Sequence, residues 1–553
     1  MRGGTILLAV SIGAAACRRE EAAPPPASSP GVPRELRALH PHPRLYERDT
    51  ADLLPALLEK MEGTWGGEVL HWARARLADS GERALEGIRS RFSLAYGRAE
   101  NAPLLMNLCE VLGLMRNPAG LGPLREALTH PNGGVRERAY EGIAAIGAPE
   151  AVADLGVVFD LDTLPVHRRA CLRAIAAAQS EEAAGFLRAL LANSALPLFH
   201  RDAVALLAAF PEPLARPALV EALGWKDRAV RLSAAMGLAR FGDEAALDSL
   251  LEFASSELPG ERAEAAAGLG VARRLDRLAL LARDPVWTVR AAAAAAVGIA
   301  TGTEPDRGAG RLPWMAPPSP PWPEGKEAGA EVLRSLLEDE EPEVRREAVR
   351  RLCGLGERGV LLRFVGAVDS SVEAKWREAL EILVDPQVRG IEGVPAILAR
   401  LERTEGAGRR PFLQALGHLR DPRGTDVLVR EMRTGGNTPL DEGTTADYAG
   451  LMLANLGEVA LPHLRAALAQ GGDPSLRMRA VRAATFMPLP AAGDFLLEVA
   501  AREGEDPLLR AIAIRAAPKI AGPRAAAILK RALYAETDPR IREVLNCVLY
   551  DYF

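Results

Sequence analysis

The residues with chemistry to offer in this chain are five cysteines and eight histidines. A thiolate is a nucleophile or a soft metal ligand and an imidazole is a base or a ligand, so their spacing decides what they do. Cys17, Cys109, Cys171, Cys353 and Cys547 include no CxxC pair and no zinc-type spacing. The last four lie among apolar residues at helical spacing, such as Leu108 and Val111 or Leu352 and Leu355, where a cysteine acts as a small buried hydrophobe. Only His40 and His42 with His71 invite a metal, and no HExxH, phosphate loop, GxSxG elbow or paired-acid motif accompanies them. The expectation is no catalytic residue, no metal and no cofactor. Cys17 is different, because it directly follows Ala14-Ala15-Ala16 at the end of an apolar run. There its thiol is placed for modification.

That run, Thr5 to Ala16, follows Arg2 and is 12 residues long, too short to cross a bilayer. A basic start, a short apolar stretch and small residues before a cleavage point mark an export signal. With a cysteine next in line, the segment resembles a bacterial lipoprotein signal, departing from the usual pattern in having Ala14 where leucine is preferred. The other readings are a plain secretory signal or an apolar N-terminus with a chance cysteine. The resemblance implies removal of the segment before Cys17, a diacylglycerol on the Cys17 thiol and an acyl group on its amine. It places the chain outside the cytoplasm, lipid-anchored to the envelope at the outer membrane or the periplasmic face. Residues 18–35, including Pro24-Pro25-Pro26 and Ser28-Ser29-Pro30, cannot bury a core and read as a disordered tether.

The chain has 553 residues, of which 48% are apolar but only 5% aromatic. Small apolar residues in excess of large ones indicate closely packed helices, and the length prompts a search for repeats. The net charge of −5 leaves no basic excess for nucleic acid.

Repeats begin near residue 100. Each copy has a turn, often Asp-Pro, then Val-Arg or Leu-Arg, an alanine one helical turn later, a glycine and a second amphipathic stretch. Asp284-Pro285 before Arg290, Glu341-Pro342 before Arg345, Asp506-Pro507 before Arg510 and Asp538-Pro539 before Arg542 are clear examples, as are Arg136 and Arg231. Counted by arginine, the marks 136, 168, 201, 231, 262 and 290 advance by 28 to 33 residues. After 345 the marks 377, 410, 477, 510 and 542 continue, and the step of 67 between 410 and 477 spans two repeats with a degenerate one near Thr444. Aspartate caps the first turn and proline suits the first helical position. Valine and alanine face inward, whereas arginine points sideways toward carboxylates or carbonyls of the neighbouring turn. Gly147, Gly242 and Gly356 suit helix ends of left-handed conformation.

The pattern resembles short HEAT repeats of the kind first described in phycobilisome lyases. The resemblance implies an all-α fold, an α-solenoid of stacked helix pairs in a right-handed superhelix with an extended concave surface. Residues 36–100 then form an N-terminal helical cap, 101–301 and 326–553 the repeats, and Val544 to Phe553 a C-terminal cap whose aromatics cover the open end.

Residues 302–325 interrupt the phase and hold Trp314-Met315 and Trp322 among prolines. Tryptophan on an extended Pro-rich segment suits partner contact, so Trp314, Met315 and Trp322 are candidate binding residues; the alternative is that the rings brace the solenoid itself. A second loop, Arg433 to Thr445, reads as a plain connector. The resulting expectation is a tethered, non-catalytic envelope scaffold that binds partner proteins but no nucleic acid. Alternatives are a HEAT-like enzyme of chromophore-lyase or DNA-glycosylase type, which would need a basic groove or an internal polar pocket, and a load-bearing part of an envelope assembly.

Overall fold

A computed structural model describes residues 54–61, 67–303, 322–434, 439–440, 443–469, 473–502, 504–522 and 524–552. Cys17, the tether and the 304–321 part of the insertion lie outside the described residues.

The described chain is all-α, helices alternating between two series along the sequence. The first series includes Ala102–Met115, Gly133–Ile146, Pro165–Ala177, Pro259–Val271 and Trp287–Thr301; the second includes Glu82–Ala95, Leu121–Ala127, Val152–Leu161 and Glu244–Ala254. The starts follow from capping chemistry. Asn132, Asp227, Asp473 and Asp506 each accept hydrogen bonds from two first-turn amides, and Pro474 and Pro507 occupy first helical positions. Gly147 ends its helix at φ +68° and Gly302 at φ +70°, conformations that a side chain would strain.

Helices of the first series pack extensively on one another, whereas those of the second barely touch their own kind. A two-layered stack crowded on one side and spread on the other curves toward the crowded side, so the first series lines the inner face. Small residues allow the crowding: a Cβ on Gly270 would come within 2.5 Å of the Ala296 carbonyl oxygen, and one on Gly113 within 2.9 Å of the Gly142 Cα.

The solenoid closes on itself. The helix Gly67–Asp79 packs on the last helix, Pro539–Tyr552, and buried Lys60 donates from Nζ to the Tyr550 carbonyl at 2.8 Å. The C-terminal aromatic segment therefore meets the N-terminal helices instead of covering an open end. The apolar interior is in two parts, one from Leu57 to Leu355 and one from Val349 to Tyr552. Among the described residues the only strands are Pro439–Leu440 and Gly443–Thr444, paired antiparallel.

Candidate functional site

An arginine at the same position in most repeats forms a ladder along the stack. The Arg136 Nη1 donates to the His130 and Pro131 carbonyls, and its Nε to Asp162 Oδ2 at 3.1 Å in the next turn. Arg262 does the same with Ser256, Glu257 and Asp284; Arg290 with Asp284, Pro285 and Asp339; Arg345 with Asp339, Glu340 and Glu378. Arg477 pairs with Glu505, Arg510 with Glu536 and Arg231 with Glu252. Asp506 and Asp538 accept amide hydrogen bonds in their first turns, from Leu508 and Leu509 and from Arg540 respectively. Arg542, in the final repeat, forms no such ion pair. Arg136, Arg262, Arg290 and Arg345 thus fasten their own leading turns and reach the following ones. Burial would raise the Asp284 and Asp339 carboxyls, but the guanidinium and amide hydrogen bonds hold both below the usual carboxylate range.

The ladder arginine stands four residues after the residue that caps its helix or leading turn: Asn132 and Arg136, Leu164 and Arg168, Leu258 and Arg262, Asp473 and Arg477. This register corrects three of the sequence marks by one residue. At 201 the position belongs to His200, at 377 to Trp376, and at 410 to Arg409, which bonds Glu431 and the Leu401 and Thr404 carbonyls. In the degenerate repeat, Thr444 is the cap and Tyr448 takes the arginine's place. The ladder arginine is therefore replaced at three positions, by His200, Trp376 and Tyr448, the last two on either side of the helix Arg410–Leu419.

A cleft opens at each of these two breaks. Around Trp376 it measures about 270 Å³ and is lined by Leu380, Val384, Pro411, Gln414 and His418. The Trp376 ring packs on Phe412 at 5.1 Å, and the Arg377 guanidinium covers it at 5.0 Å. Burial and the charge of Arg420 push the His418 imidazole down, so it faces the cleft neutral. Around Tyr448 lies a smaller cavity of about 80 Å³, walled by Arg410, Thr444, Asp447, Tyr448, Leu451, Arg479 and Arg482. Arg410 stacks on the Tyr448 ring at 5.0 Å. The Arg479 Nε donates to Asp447 Oδ1 at 3.0 Å and its Nη1 to the Met432 carbonyl at 3.2 Å. Thr444 and Asp447 form a capping box, so the loop read as a plain connector supplies a cavity wall. Burial would raise the Asp447 carboxyl, but Thr444 and Arg479 hold it below the usual range.

Trp314 and Met315 lie outside the described residues, as does Cys17. Trp322 is partly buried against the solenoid core, its ring over Gly325 and beneath the Arg273 guanidinium at 5.4 Å, and its amide donates to the Thr301 carbonyl. Cys109 and Cys171 are fully buried, and burial pushes the Cys109 thiol up to about 12 and raises that of Cys171. His71 is exposed, and among the described residues no group of histidine, cysteine, aspartate or glutamate is arranged for a metal ion. Also among them, no helix is long and apolar enough to cross a membrane. Sequence reasoning missed Trp376, Tyr448, Arg479 and Arg482; the available signal was the double-length step that skipped Tyr448.

The family model described as HEAT repeats matches residues 95–176, 185–270 and 461–547. No curated protein matches the chain. Among solved structures, yeast importin-β (Kap95p) is similar at 14% identity and TM-score 0.37, with 92% of this chain and 73% of that one covered. Kap121p bound to Pho4p is similar at 12% identity and TM-score 0.35, with 90% and 66% covered, so the chain spans about two thirds of that karyopherin. An engineered protein is similar at 20% identity and TM-score 0.21, covered over 98% of its length and 76% of this chain. The fold is an α-solenoid of HEAT repeats.

Proposed function

We propose that this chain is a non-catalytic scaffold of a bacterial envelope, tethered through lipid on Cys17, that holds a partner protein against the inner face of its solenoid. The observation that carries the reading is the pair of clefts at Trp376 and Tyr448. At most other positions the ladder register is filled by an arginine, and at position 200 by His200, which bonds the Asn193 carbonyl and packs on Trp225; at Trp376 and Tyr448 a ring bordering a cleft stands instead. Aromatic and arginine side chains on a rigid concave surface are what protein partners use as anchors. Tethering rests on the sequence at Ala14-Ala15-Ala16-Cys17 and on the extended segment after it.

The test is cross-linking in cells, purification of the tagged full chain in detergent, and mass spectrometry of what accompanies it. Three variants run beside it: Trp376→Ala, a deletion of residues 313–323, and Cys17→Ser. A specific protein lost in Trp376→Ala places the binding surface on the inner face, whereas loss only in the deletion moves it to the Pro/Trp segment. Absence of any specific protein refutes the scaffold reading. Cys17→Ser is expected to abolish palmitate labelling and release the chain from membranes; labelling unchanged by the substitution refutes the anchor.

A further inference from the structure

We infer that the cleft at Trp376 binds an uncharged peptide segment in extended conformation, its backbone bonded to Gln414 and His418 and every second side chain set against Trp376, Leu380 and Val384. The inference rests on the scaffold reading above and names the chemistry of the partner.

The cleft has two unlike walls. One is the helix Glu373–Leu383 with Val384 after it, where Trp376, Leu380 and Val384 follow at four-residue spacing and form an apolar stripe. The other is the helix Arg410–Leu419, which presents Pro411, Gln414 and His418. The charged residues of the lining have partners, Arg377 in Glu373 and Glu381 in Arg346. The neutral polar ones do not: Gln414 and His418 are exposed, and neither side chain forms a hydrogen bond among the described residues. Walls with paired charges and open neutral donors and acceptors suit an occupant that is polar without being charged. A peptide backbone has that character.

The spacing decides the conformation. A carboxamide has donor and acceptor capacity, and so does a neutral imidazole, so each matches the N–H and C=O of one residue. Gln414 and His418 stand four residues apart, about 6 Å along the helix axis. In a strand, residues two apart are separated by about 6.5 Å and turn their N–H and C=O to the same edge. A helical segment has bonded its backbone groups internally, and proline has no N–H to give. Trp376, Leu380 and Val384 repeat at the same step of about 6 Å, so alternate side chains of an extended segment meet them in turn. Phe412 at 5.1 Å and the Arg377 guanidinium at 5.0 Å hold the Trp376 ring in place before anything binds. At about 270 Å³ the cleft falls below the roughly 300–1,000 Å³ of pockets that enclose a small molecule, and it takes the side chains of a segment that continues beyond it.

The test uses the full chain in detergent and a fluorescein-labelled, C-terminally amidated peptide alternating serine and valine, followed by anisotropy. Gln414→Ala and His418→Ala each remove an exposed group with no structural partner, and Glu221→Ala, an exposed residue of the helix Glu212–Leu223, is the control. The expected result is binding that moderate salt leaves unchanged and that falls about tenfold in each cleft variant, the loss of two neutral hydrogen bonds, but not in the control. A fully N-methylated version of the peptide should lose binding in the same way. Equal binding by Gln414→Ala and His418→Ala overturns the site, and equal binding of the N-methylated peptide overturns recognition of the backbone. Binding that moderate salt abolishes overturns it in favour of a charged occupant. Tighter binding of a peptide with the sequence Leu312 to Pro321 overturns it in favour of the chain's own Pro/Trp segment. A cellular partner lost in Trp376→Ala, with peptide binding unchanged by both cleft variants, overturns this inference and leaves the scaffold reading standing. Peptide binding weakened by both variants, with no cellular partner, does the reverse.

Discussion

Arg290 offers a direct measure of what the ladder contributes, because it joins the repeats on either side of the Pro/Trp insertion. Its guanidinium forks onto Asp339 at 2.6 and 2.8 Å and bonds the Asp284 and Pro285 carbonyls at 2.9 and 3.2 Å. The two side chains are only 9% and 7% exposed. Arg290→Met keeps the apolar stem but leaves the Asp339 carboxylate covered, with the Glu341 amide and the more distant Arg345 as its remaining support. Removing one member of a buried pair costs about 3–5 kcal/mol, and because the solenoid is two helices thick and water is near, we expect about 2–4 kcal/mol. The sign of the pH dependence follows from Asp339. In the native chain burial would raise its carboxyl, but Arg290 holds it below the ordinary 3.8, so its stabilisation is present above that value and is lost as pH falls through the lower native one. In Arg290→Met burial is no longer outweighed, the carboxyl moves upward, and stability is lost as pH rises instead. The deficit of the variant is therefore largest at neutral pH and shrinks below about pH 4. Urea unfolding followed by helical circular dichroism at pH 7 and pH 4 measures it, with Asp339→Asn and the double variant completing a cycle. A deficit below about 1 kcal/mol, equal at both pH values, would mean that the pair behaves as an exposed one and that the ladder argument is wrong.

Amide exchange should be faster in Glu373–Leu383 than in Pro259–Val271, since the former helix packs lightly on its inner-series neighbours and the latter closely; equal protection refutes the idea of a loose joint there. Gly270→Ala, whose new Cβ would lie 2.5 Å from the Ala296 carbonyl oxygen, should lower stability by about 1–3 kcal/mol. Gly122→Ala meets nothing within 4 Å and should be neutral or slightly stabilising, and thermal melts of both variants check the pair. Lys60→Met leaves the Tyr550 carbonyl without its Nζ donor at the seam and should cost about 1–3 kcal/mol, with exchange rising in Pro539–Tyr552 but not in Trp287–Thr301. An unchanged last helix would show that the seam is held by something other than Lys60.

The repeat was legible because each of its parts is local. Asp506-Pro507 starts a helix by its own chemistry, Gly147 ends one, and the Val-Arg step with its following alanine fixes which side faces inward. Closure was not legible: it depends on small rotations summed over the whole stack, and no single residue carries them. The candidate site was hidden for a different reason. Counting arginines assigned Arg377 and Arg410 to a register that belongs to Trp376 and Arg409, one residue earlier, because adjacent arginines look alike in sequence while their side chains leave the helix about 100° apart. The insertion drew attention because tryptophan and proline stand out in an aromatic-poor chain, yet Trp322 packs on Arg273 and Gly325 within the solenoid.

The two ladder breaks also bear on how such a stack can hold a partner. In a repeat array stability is close to a sum of units and nearest-neighbour interfaces, so a break at one register weakens one joint and leaves the others intact. Trp376 and Tyr448 form no ladder ion pair, although Arg479 pairs with Asp447 beside Tyr448, and the apolar interior divides nearby, between Val349 and Leu355. A segment bound across both clefts would bridge the joints that lack ladder bonds. An apolar side chain of that segment would add packing beside Trp376. Binding and stiffening would then be one event, with the free energy of the first opposing the looseness left by the second. On this reading the replacements at Trp376 and Tyr448 are tolerated because a bound partner adds contacts where the ladder bonds are missing, whereas His200 keeps contacts of its own to the Asn193 carbonyl and Trp225.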